Sequence, residues 1–269
     1  MRSNNLCNSI GGSEKGKAMD ANSFKKRLND GELLLGTHLT APNPKLAALC
    51  CQANIDFLWI DTEHDPYASE SLGLVPVLAR QSGVAPVVRV AWNDPALIKK
   101  AYDVGAVAVM VPQIETAEEA ARAVEYAFYP PKGNRGVAPN WPTLAGVNTT
   151  EVIKSVNEKT ALILQIESVK AYENLDEIAS VPGIDALFVG PMDLSATLGI
   201  VTEVHDPAVQ KIMRDVPYRL EGTGIATGTT LPDVDDVRCK IEWGYRFINV
   251  GDPVNYGIET LNHHLETLR

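Results

Sequence analysis

The strongest constraint on the fold of this chain is a regular alternation of two patterns. Short, almost continuously apolar runs rich in Val, Ile and Leu alternate with longer segments of helical periodicity. Such runs are typical of parallel strands covered on both faces, because neither face meets water. The eight predicted strands are residues 33–40, 56–61, 85–90, 106–112, 162–167, 186–191, 224–230 and 247–251.

The segments between these strands carry helix signals. Asp94 followed by Pro95 is placed to cap and start one helix, and Thr116 with Glu119 has capping-box spacing in the next. Three glycines are placed to end helices: Gly105, Gly183 and Gly244. Eight successive β-α units predict an α/β fold with a single closed (β/α)8 TIM barrel. An open doubly wound sheet is the alternative, but no G-x-G-x-x-G follows an early strand.

Composition excludes several classes of protein. A net charge of −10 argues against binding a nucleic-acid backbone, and no apolar run approaches the roughly 18 residues that a membrane helix needs. Residues 1–22 lack apolar periodicity and are predicted to be a disordered leader, with the barrel domain spanning 23–269. The four cysteines form no C-x2-C pair and no signal peptide is evident, so we expect a soluble, cytoplasmic protein.

One long irregular stretch, residues 129–148, lies between predicted strands four and five. We interpret it as a functional loop on the face where barrel active sites sit.

Polar residues at the carboxyl ends of barrel strands are catalytic candidates. Here that rule selects residues from four strands, and all could point into one mouth. They are Asp61, Thr62, Glu63 and His64 after strand two, Arg89 in strand three, Gln165 and Glu167 in strand five, and Met192 and Asp193 after strand six.

Glu167 and Asp193 end neighbouring strands, so their carboxylates should lie close together. Two such charges about 4 Å apart repel by roughly 4 kcal/mol at an effective dielectric near 20. A shared divalent cation or a shared proton would relieve this repulsion, and an oxygen-only pair suits Mg²⁺ or Mn²⁺. Alternatively, Asp193 caps the following helix and Glu167 pairs with a lysine.

Arg89 stands in an otherwise apolar strand and must have an anionic partner, which is either a structural carboxylate or a substrate. Asp61 and His64 are three residues apart and are predicted to form a proton-transfer pair.

Five segments together resemble the HpcH/HpaI aldolase family, the class II pyruvate aldolases of the phosphoenolpyruvate/pyruvate barrel superfamily, including its macrophomate synthase branch. They are IDTEHDP (60–66), PVVRVAWNDP (86–95), YPPKGNRGV (129–137), QIES (165–168) and GPMDLSATLG (190–199). The resemblance covers about residues 30–269, in order and with sensible spacing.

The resemblance implies a role for each candidate residue. Glu167 and Asp193 match metal ligands, for Mg²⁺ first and Mn²⁺ or Co²⁺ as alternatives. Arg89 matches the arginine at the keto or enolate oxygen, and His64 with Asp61 matches the proton-handling pair. Gln165 matches a residue near metal and substrate. The backbone N–H groups at Met192 and Asp193 match the site of the keto-acid carboxylate.

Two departures from the family pattern leave the substrate open. Met192 stands where the family usually has a small residue, and the loop GVAPNWP (136–142) lacks the usual small residues. Met192 is therefore expected to narrow the pocket, and Trp141 is expected to shape a distinct acceptor pocket.

The function predicted is a metal-dependent carbon–carbon lyase that joins pyruvate enolate to an aldehyde, or cleaves 4-hydroxy-2-keto acids. The alternatives are oxaloacetate decarboxylation or macrophomate-type synthesis, a CoA-ester lyase, and a non-catalytic binding barrel. The segment IETLNHHLETLR (258–269) predicts an amphipathic helix, and the resemblance implies that it is swapped between subunits of a hexamer.

Overall fold

A computed structural model describes residues 20–269 of the chain, and its centre is a closed barrel of eight parallel strands. Each strand pairs with the next in sequence, and β8 pairs with β1 to close the barrel. The strands are β1 (Leu34–His38), β2 (Phe57–Asp61), β3 (Ala85–Arg89), β4 (Ala108–Val111), β5 (Ala161–Ile166), β6 (Ala186–Val189), β7 (Ala226–Thr230) and β8 (Phe247–Asn249). The predicted barrel and its eight strands are confirmed.

Helices surround the barrel and connect the strands. They are α1 (Phe24–Asn29), α2 (Pro44–Cys50), α3 (Val75–Gln81), α4 (Pro95–Asp103), α5 (Ala117–Ala127), α6 (Trp141–Ala145), α7 (Thr149–Lys159), α8 (Val169–Glu173), α9 (Leu175–Ala179), α10 (Pro191–Thr197), α11 (Pro207–Arg219), α12 (Val234–Trp243) and α13 (Pro253–Leu268). Short 3-10 turns cover Ala21–Ser23 and Ser69–Leu72.

The predicted helix signals have the expected physical basis. Asp94 accepts hydrogen bonds from the N–H groups of Ala96 and Leu97, and Thr116 caps α5 through Glu119 N–H. Gly105, Gly183 and Gly244 all have φ near +110°, which L side chains rarely adopt, so each can end a helix.

Aromatic rings fill the barrel interior at its amino-terminal end. The rings of Phe57 and Phe247 lie 4.3 Å apart, and Phe24 of α1 packs edge-on against both. Gly36 and Gly228 leave room for these rings, because an added Cβ at either position would collide with them. This plug closes one end of the barrel, so the polar site lies at the carboxyl ends of the strands.

The described residues begin inside the segment assigned to the leader. Asp20 caps the 3-10 turn Ala21–Ser23, and Ala21 is buried. The leader prediction for residues 1–19 lies outside the described residues.

The placement of the 129–148 loop on the catalytic face is wrong for this chain. The loop follows α5 and leads through α6 and α7 to β5, so it lies at the amino-terminal end of the barrel. Trp141 is buried there, with the Arg80 guanidinium 4.0 Å from its ring, and it packs against Gly105 before β4. Within its own chain, Trp141 therefore does not shape an acceptor pocket.

Helix α13 contacts the strand ends through Tyr256, which donates to Pro232 O, but it is largely exposed in the single chain. None of its residues, all of which are described, is buried, and four apolar side chains along it are well exposed: Ile258, Leu261, Leu265 and Leu268. Exchange of this helix between subunits stays a prediction.

A search of the described helices finds none long and apolar enough to cross a membrane.

Candidate active site

The site is built at the strand ends that the sequence singled out. Asp61 is the last residue of β2, and Arg89 is the last residue of β3, directly opposite it in the sheet register. Glu167 follows β5, and Asp193 lies in the first turn of α10 after β6. Parallel register brings these side chains to one mouth.

Arg89 and Asp61 form a buried, two-pronged ion pair. Arg89 Nε donates to Asp61 Oδ1 at 2.8 Å, and Nη2 donates to Oδ2 at 2.5 Å. Both side chains are at least nine-tenths buried, and the guanidinium lies 4.8 Å from the ring centre of Trp59. Burial alone would raise the pKa of Asp61, but the hydrogen bonds and charge of Arg89 lower it. The pair is therefore fixed and charged at neutral pH.

The remaining Arg89 nitrogen faces the centre of the mouth. Nη1 lies 3.2 Å from Glu63 Oε2 and 3.5 Å from Gln165 Oε1. The Gln165 amide in turn donates to Glu167 Oε2 at 3.0 Å. Three of the predicted residues, Arg89, Gln165 and Glu167, are thus joined in one buried polar chain.

Glu167 is a buried carboxyl held in a fixed orientation. Its Oε1 accepts from the backbone N–H of Gln113 at 2.7 Å, and Gln113 has a φ of 54°. A non-glycine residue in this left-handed region is strained, and such strain commonly accompanies functional sites. Burial raises the pKa of Glu167 to about 7, and the charges of Glu63 and Asp193 add to the rise.

Gly190 leaves the space that the Glu167 carboxylate occupies. An added Cβ at this position would lie 2.9 Å from Glu167 Oε2 and 3.1 Å from its Cβ. As the N-cap of α10, Gly190 also has no side chain to bond the first-turn N–H groups of Met192 and Asp193.

The donor set around Glu167 fits a divalent cation. Glu167 and Asp193 supply carboxylate oxygens, and burial together with the charges of Glu63 and Asp193 raises the pKa of Glu167 to about 7. Hard cations such as Mg²⁺ prefer such oxygen ligands and retain several waters. The exposure of Asp193 leaves room for those waters and a substrate.

A second group of possible metal-binding side chains has one nitrogen or oxygen atom from each residue within 4.8 Å of the others. It comprises His38, Asp61 and Asp65. It is a weaker candidate for a metal ion, because both oxygens of Asp61 already accept from Arg89. A cation there would also face the guanidinium of Arg89.

His64 lies at the rim of the mouth. Its side chain is 63% exposed, and its Nε2 is 3.8 Å from Glu63 Oε2. Across the described residues, no hydrogen bond joins His64 to Asp61. The predicted Asp61–His64 pair stays a prediction, and in the single chain Asp61 is the partner of Arg89.

Met192 is about half exposed on the first turn of α10. Its expected effect of narrowing the pocket stays a prediction.

Comparison with known proteins decides the family. Residues 34–258 match the model of the HpcH/HpaI aldolase/citrate lyase family. The chain belongs to the HpcH/HpaI aldolase/citrate lyase family. The resemblance identified from five sequence segments is thereby confirmed.

Members of the HpcH/HpaI family that resemble this chain include named aldolases. A 2-keto-3-deoxy-L-rhamnonate aldolase of Salmonella gallinarum is 34% identical over 249 residues, which cover 92% of this chain and 93% of that protein. A hydroxypyruvate/pyruvate aldolase of Pseudomonas aeruginosa is 36% identical over 240 residues and 87% of each chain. A crystal structure of a family protein from Burkholderia cenocepacia aligns with a TM-score of 0.86 at 34% identity, covering 92% of this chain and 99% of that one. This HpcH/HpaI member is accordingly a carbon–carbon lyase.

Two residues of this HpcH/HpaI site were given no role by sequence reasoning. Glu63 was one of the strand-end candidates, but nothing in the sequence showed that it would contact Arg89. His38 is the last residue of β1 and lies in the mouth between Asp65 and Asp252. Its position at the carboxyl end of β1 was a signal from which the sequence could have predicted it as a site residue.

Proposed function

We propose that this chain is a divalent-metal-dependent aldolase acting on 2-keto acids, which cleaves 4-hydroxy-2-keto acids to pyruvate or a close analogue and an aldehyde. The observation that carries this proposal is the buried Glu167 carboxyl. Burial raises its pKa to about 7, the charges of Glu63 and Asp193 add to that rise, and Gln165 links it to Arg89. These contacts support a cation site at Glu167 and Asp193 beside the fixed positive charge of Arg89.

Glu167 and Asp193 would hold the cation, with Mg²⁺ the first expectation. When bound, the cation would supply Lewis-acid polarisation of the keto-acid oxygens.

Arg89 is proposed to stabilise the oxygen on which negative charge develops. Its Nε and Nη2 donate to Asp61, so the donor proposed for a substrate oxygen is Nη1, which faces Glu63 and Gln165 at the centre of the mouth. The free first-turn N–H groups of Met192 and Asp193 would receive the keto-acid carboxylate. In retro-aldol cleavage the C3–C4 bond breaks, its electron pair passes into the keto-acid enolate, and C4 becomes an aldehyde.

His64 is proposed to accept the C4 hydroxyl proton as that bond breaks, directly or through water. Its exposure at the rim gives it access to solvent, which can return a proton to C3. Glu63, the carboxylate nearest to His64, would stabilise the imidazolium that results.

The test is pyruvate release from a panel of 4-hydroxy-2-keto acids in chelated buffer, with Mg²⁺, Mn²⁺ or Co²⁺ added back. Glu167→Gln and Asp193→Asn should lose metal binding and nearly all activity while remaining folded. Glu173→Gln, a matched change at an exposed position of α8, should behave as the wild type. Full wild-type activity in chelator, or retained activity in Glu167→Gln, would refute the proposal.

Oxaloacetate decarboxylation, alone or followed by carbon–carbon bond formation, is the second candidate. It is favoured by the loose placement of His64, because decarboxylation forms an enolate without moving an alcohol proton. Carbon dioxide release from oxaloacetate, with and without an acceptor, distinguishes the two reactions.

We also propose that the chain assembles as a homo-oligomer, with the hexamer suggested by the resemblance. The exposed apolar side of α13 supports this proposal, because such a surface is normally covered.

A further inference from the structure

A cavity of about 340 Å³ lies at the amino-terminal end of the barrel, opposite to the catalytic mouth. It lies between the end of α3, the helices α6 and α7, and the 3-10 turn Ala21–Ser23. Apolar side chains line much of it: Trp141, Ala145, Val147, Val152 and Val156. A cavity of this size and lining is typical of a site for a small organic molecule.

Arg80, near the end of α3, lines this cavity and donates only to neutral acceptors. Its Nε donates to Gly105 O at 2.5 Å, Nη2 to Ala106 O at 3.0 Å, and Nη1 to Asn22 Oδ1 at 3.0 Å. A guanidinium has five N–H groups. Two of them therefore have no acceptor among the described residues.

The charge of Arg80 has no carboxylate in contact with it among residues 20–269. Asp20 acts at a distance, through Asn22, whose Nδ2 donates to Asp20 Oδ1 at 2.8 Å. Burial lowers the pKa of Arg80 to about 9, and the charge of Asp20 opposes that fall only in part. Because a buried cation without an adjacent anion is costly, an anion beside Arg80 would be stabilised.

Lys159 adds a second positive charge to the lining, and it forms no ion pair with any described residue. It ends α7 just before β5, whose Ala161 N–H donates to Val107 O at the start of the neighbouring strand, next to the carbonyls that hold Arg80. Glu151, the single acidic residue of the lining, stands in the first turn of α7, about 12 Å along the helix from Lys159. The cavity therefore has one positive end.

We infer that this cavity binds a small organic monocarboxylate with an apolar body, whose carboxylate lies between Arg80 and Lys159. A guanidinium with two N–H groups to spare matches a carboxylate, and such charged hydrogen bonds are strong. The apolar body would pack against Trp141 and Val156. The cavity lies at the opposite end of the barrel from Glu167, so this binding does not depend on the proposed aldolase function.

Other occupants match the cavity less well. A neutral apolar molecule would leave the buried guanidinium without a counter-charge. Residues 1–19 precede the turn that lines the cavity, but they carry Arg2, Lys15 and Lys17 against one acidic residue, Glu14. A segment with that net positive charge would be repelled by Arg80 and Lys159.

The experiment measures Kd at neutral pH by ligand-detected NMR titration with cyclohexanecarboxylate, cyclohexanecarboxamide and acetate. These probes have an apolar body with a charge, the same body without a charge, and the charge without the body. Arg80→Gln and Lys159→Gln remove positive charge, and Ala145→Phe fills the cavity while keeping both charges. The controls are Lys154→Gln, at an exposed position of α7, and Ala121→Phe, at an exposed position of α5, neither of which lines the cavity.

The wild type should bind cyclohexanecarboxylate about 10- to 100-fold more tightly than the carboxamide or acetate. Arg80→Gln should remove the preference for the carboxylate over the carboxamide, and Lys159→Gln should reduce it. Ala145→Phe should weaken binding of both cyclohexane compounds by at least about tenfold, and it decides the outcome if Arg80→Gln fails to fold. The two control variants, and Arg89→Lys in the catalytic mouth, should bind as the wild type does.

Several results would overturn the inference. Equal affinity of the wild type for the carboxylate and the carboxamide would refute recognition of the charge, and equal affinity for acetate would refute recognition of the apolar body. Loss of binding in Arg89→Lys with full binding in Ala145→Phe would place the ligand in the catalytic mouth instead. Binding that appears only after deletion of residues 1–19 would show that this segment fills the cavity.

Discussion

The guanidinium of Arg89 holds the carboxylate of Asp61 through two parallel hydrogen bonds, of 2.8 Å and 2.5 Å, at the end of two adjacent strands. A planar fork of this kind constrains orientation as well as distance. Asp61 therefore acts on the substrate site through Arg89, whose third nitrogen is directed towards Gln165 and Glu63.

Removing one partner of this pair should destabilise the fold. Asp61→Asn leaves a buried guanidinium without its main counter-charge, and the loss of one member of a buried ion pair typically costs about 3–5 kcal/mol. Urea unfolding at neutral pH measures the change. Asp235→Asn, which breaks the exposed pair with Arg238, should cost no more than about 1 kcal/mol. Equal losses in the two variants would contradict the importance given to burial.

Substitutions of Arg89 and His64 should affect two reactions, aldol cleavage and oxaloacetate decarboxylation, to different extents. Arg89→Lys keeps a positive charge but loses the fork, and we expect both aldol cleavage and oxaloacetate decarboxylation to fall by about 100- to 1,000-fold. His64→Ala should reduce aldol cleavage by about 100- to 10,000-fold and decarboxylation far less, because only the former moves an alcohol proton. Both reactions are measured for each variant at saturating metal. His205→Ala is the control, because His205 is 70% exposed and pairs with Asp236. Equal losses of the two activities in His64→Ala would contradict a proton-transfer role for His64.

Metal binding should strengthen as pH rises towards neutrality. Burial, with the charges of Glu63 and Asp193, raises the pKa of Glu167 to about 7, so a cation must displace a proton at lower pH. The Kd for Mn²⁺ should therefore fall about tenfold per pH unit below pH 7 and level off above it. Equilibrium dialysis from about pH 5.5 to about pH 8.5 tests this. Glu167→Gln should bind weakly without that slope, and a flat wild-type profile would contradict the assignment.

Truncation after Gly257 should reduce the size of the assembly. The change removes Ile258, Leu261, Leu265 and Leu268, which are exposed in the single chain. Light scattering should show the full-length protein well above its 29.1 kDa chain mass and the truncated protein as smaller species. Val201→Glu, at an exposed apolar residue outside α13, should not change the mass. A monomeric full-length protein would refute the proposal.

The barrel could be predicted from the sequence because its signal is local. The apolar run at 56–61 became β2, Phe57–Asp61, and the run at 85–90 became β3, Ala85–Arg89. The rule that catalytic candidates lie at the carboxyl ends of barrel strands then placed Arg89, Gln165 and Glu167 together. The hydrogen bonds among them agree, since parallel register alone brings strand ends together.

Side-chain pairing was beyond the sequence because it depends on register and rotamer. The spacing of Asp61 and His64 predicts a pair that stays a prediction, whereas nothing in the spacing showed that Asp61 would bond Arg89 and His64 would lie at the rim. A long connection lies at the carboxyl ends of the strands if it precedes the helix of its β-α unit, and at the opposite end if it follows that helix. Residues 129–148 follow α5, so Trp141 lies at the opposite end from the mouth.

Gly190 imposes a limit on how this site can change by mutation. Its backbone has φ −89° and ψ 99°, a conformation open to any residue, so conformational preference alone would permit substitution. Space opposes it, because the methyl group of alanine would lie 2.9 Å from Glu167 Oε2 and would force the Glu167 carboxylate to shift. In a saturation-mutagenesis library, replacements at position 190 should therefore lower activity, although the backbone conformation there would accept them.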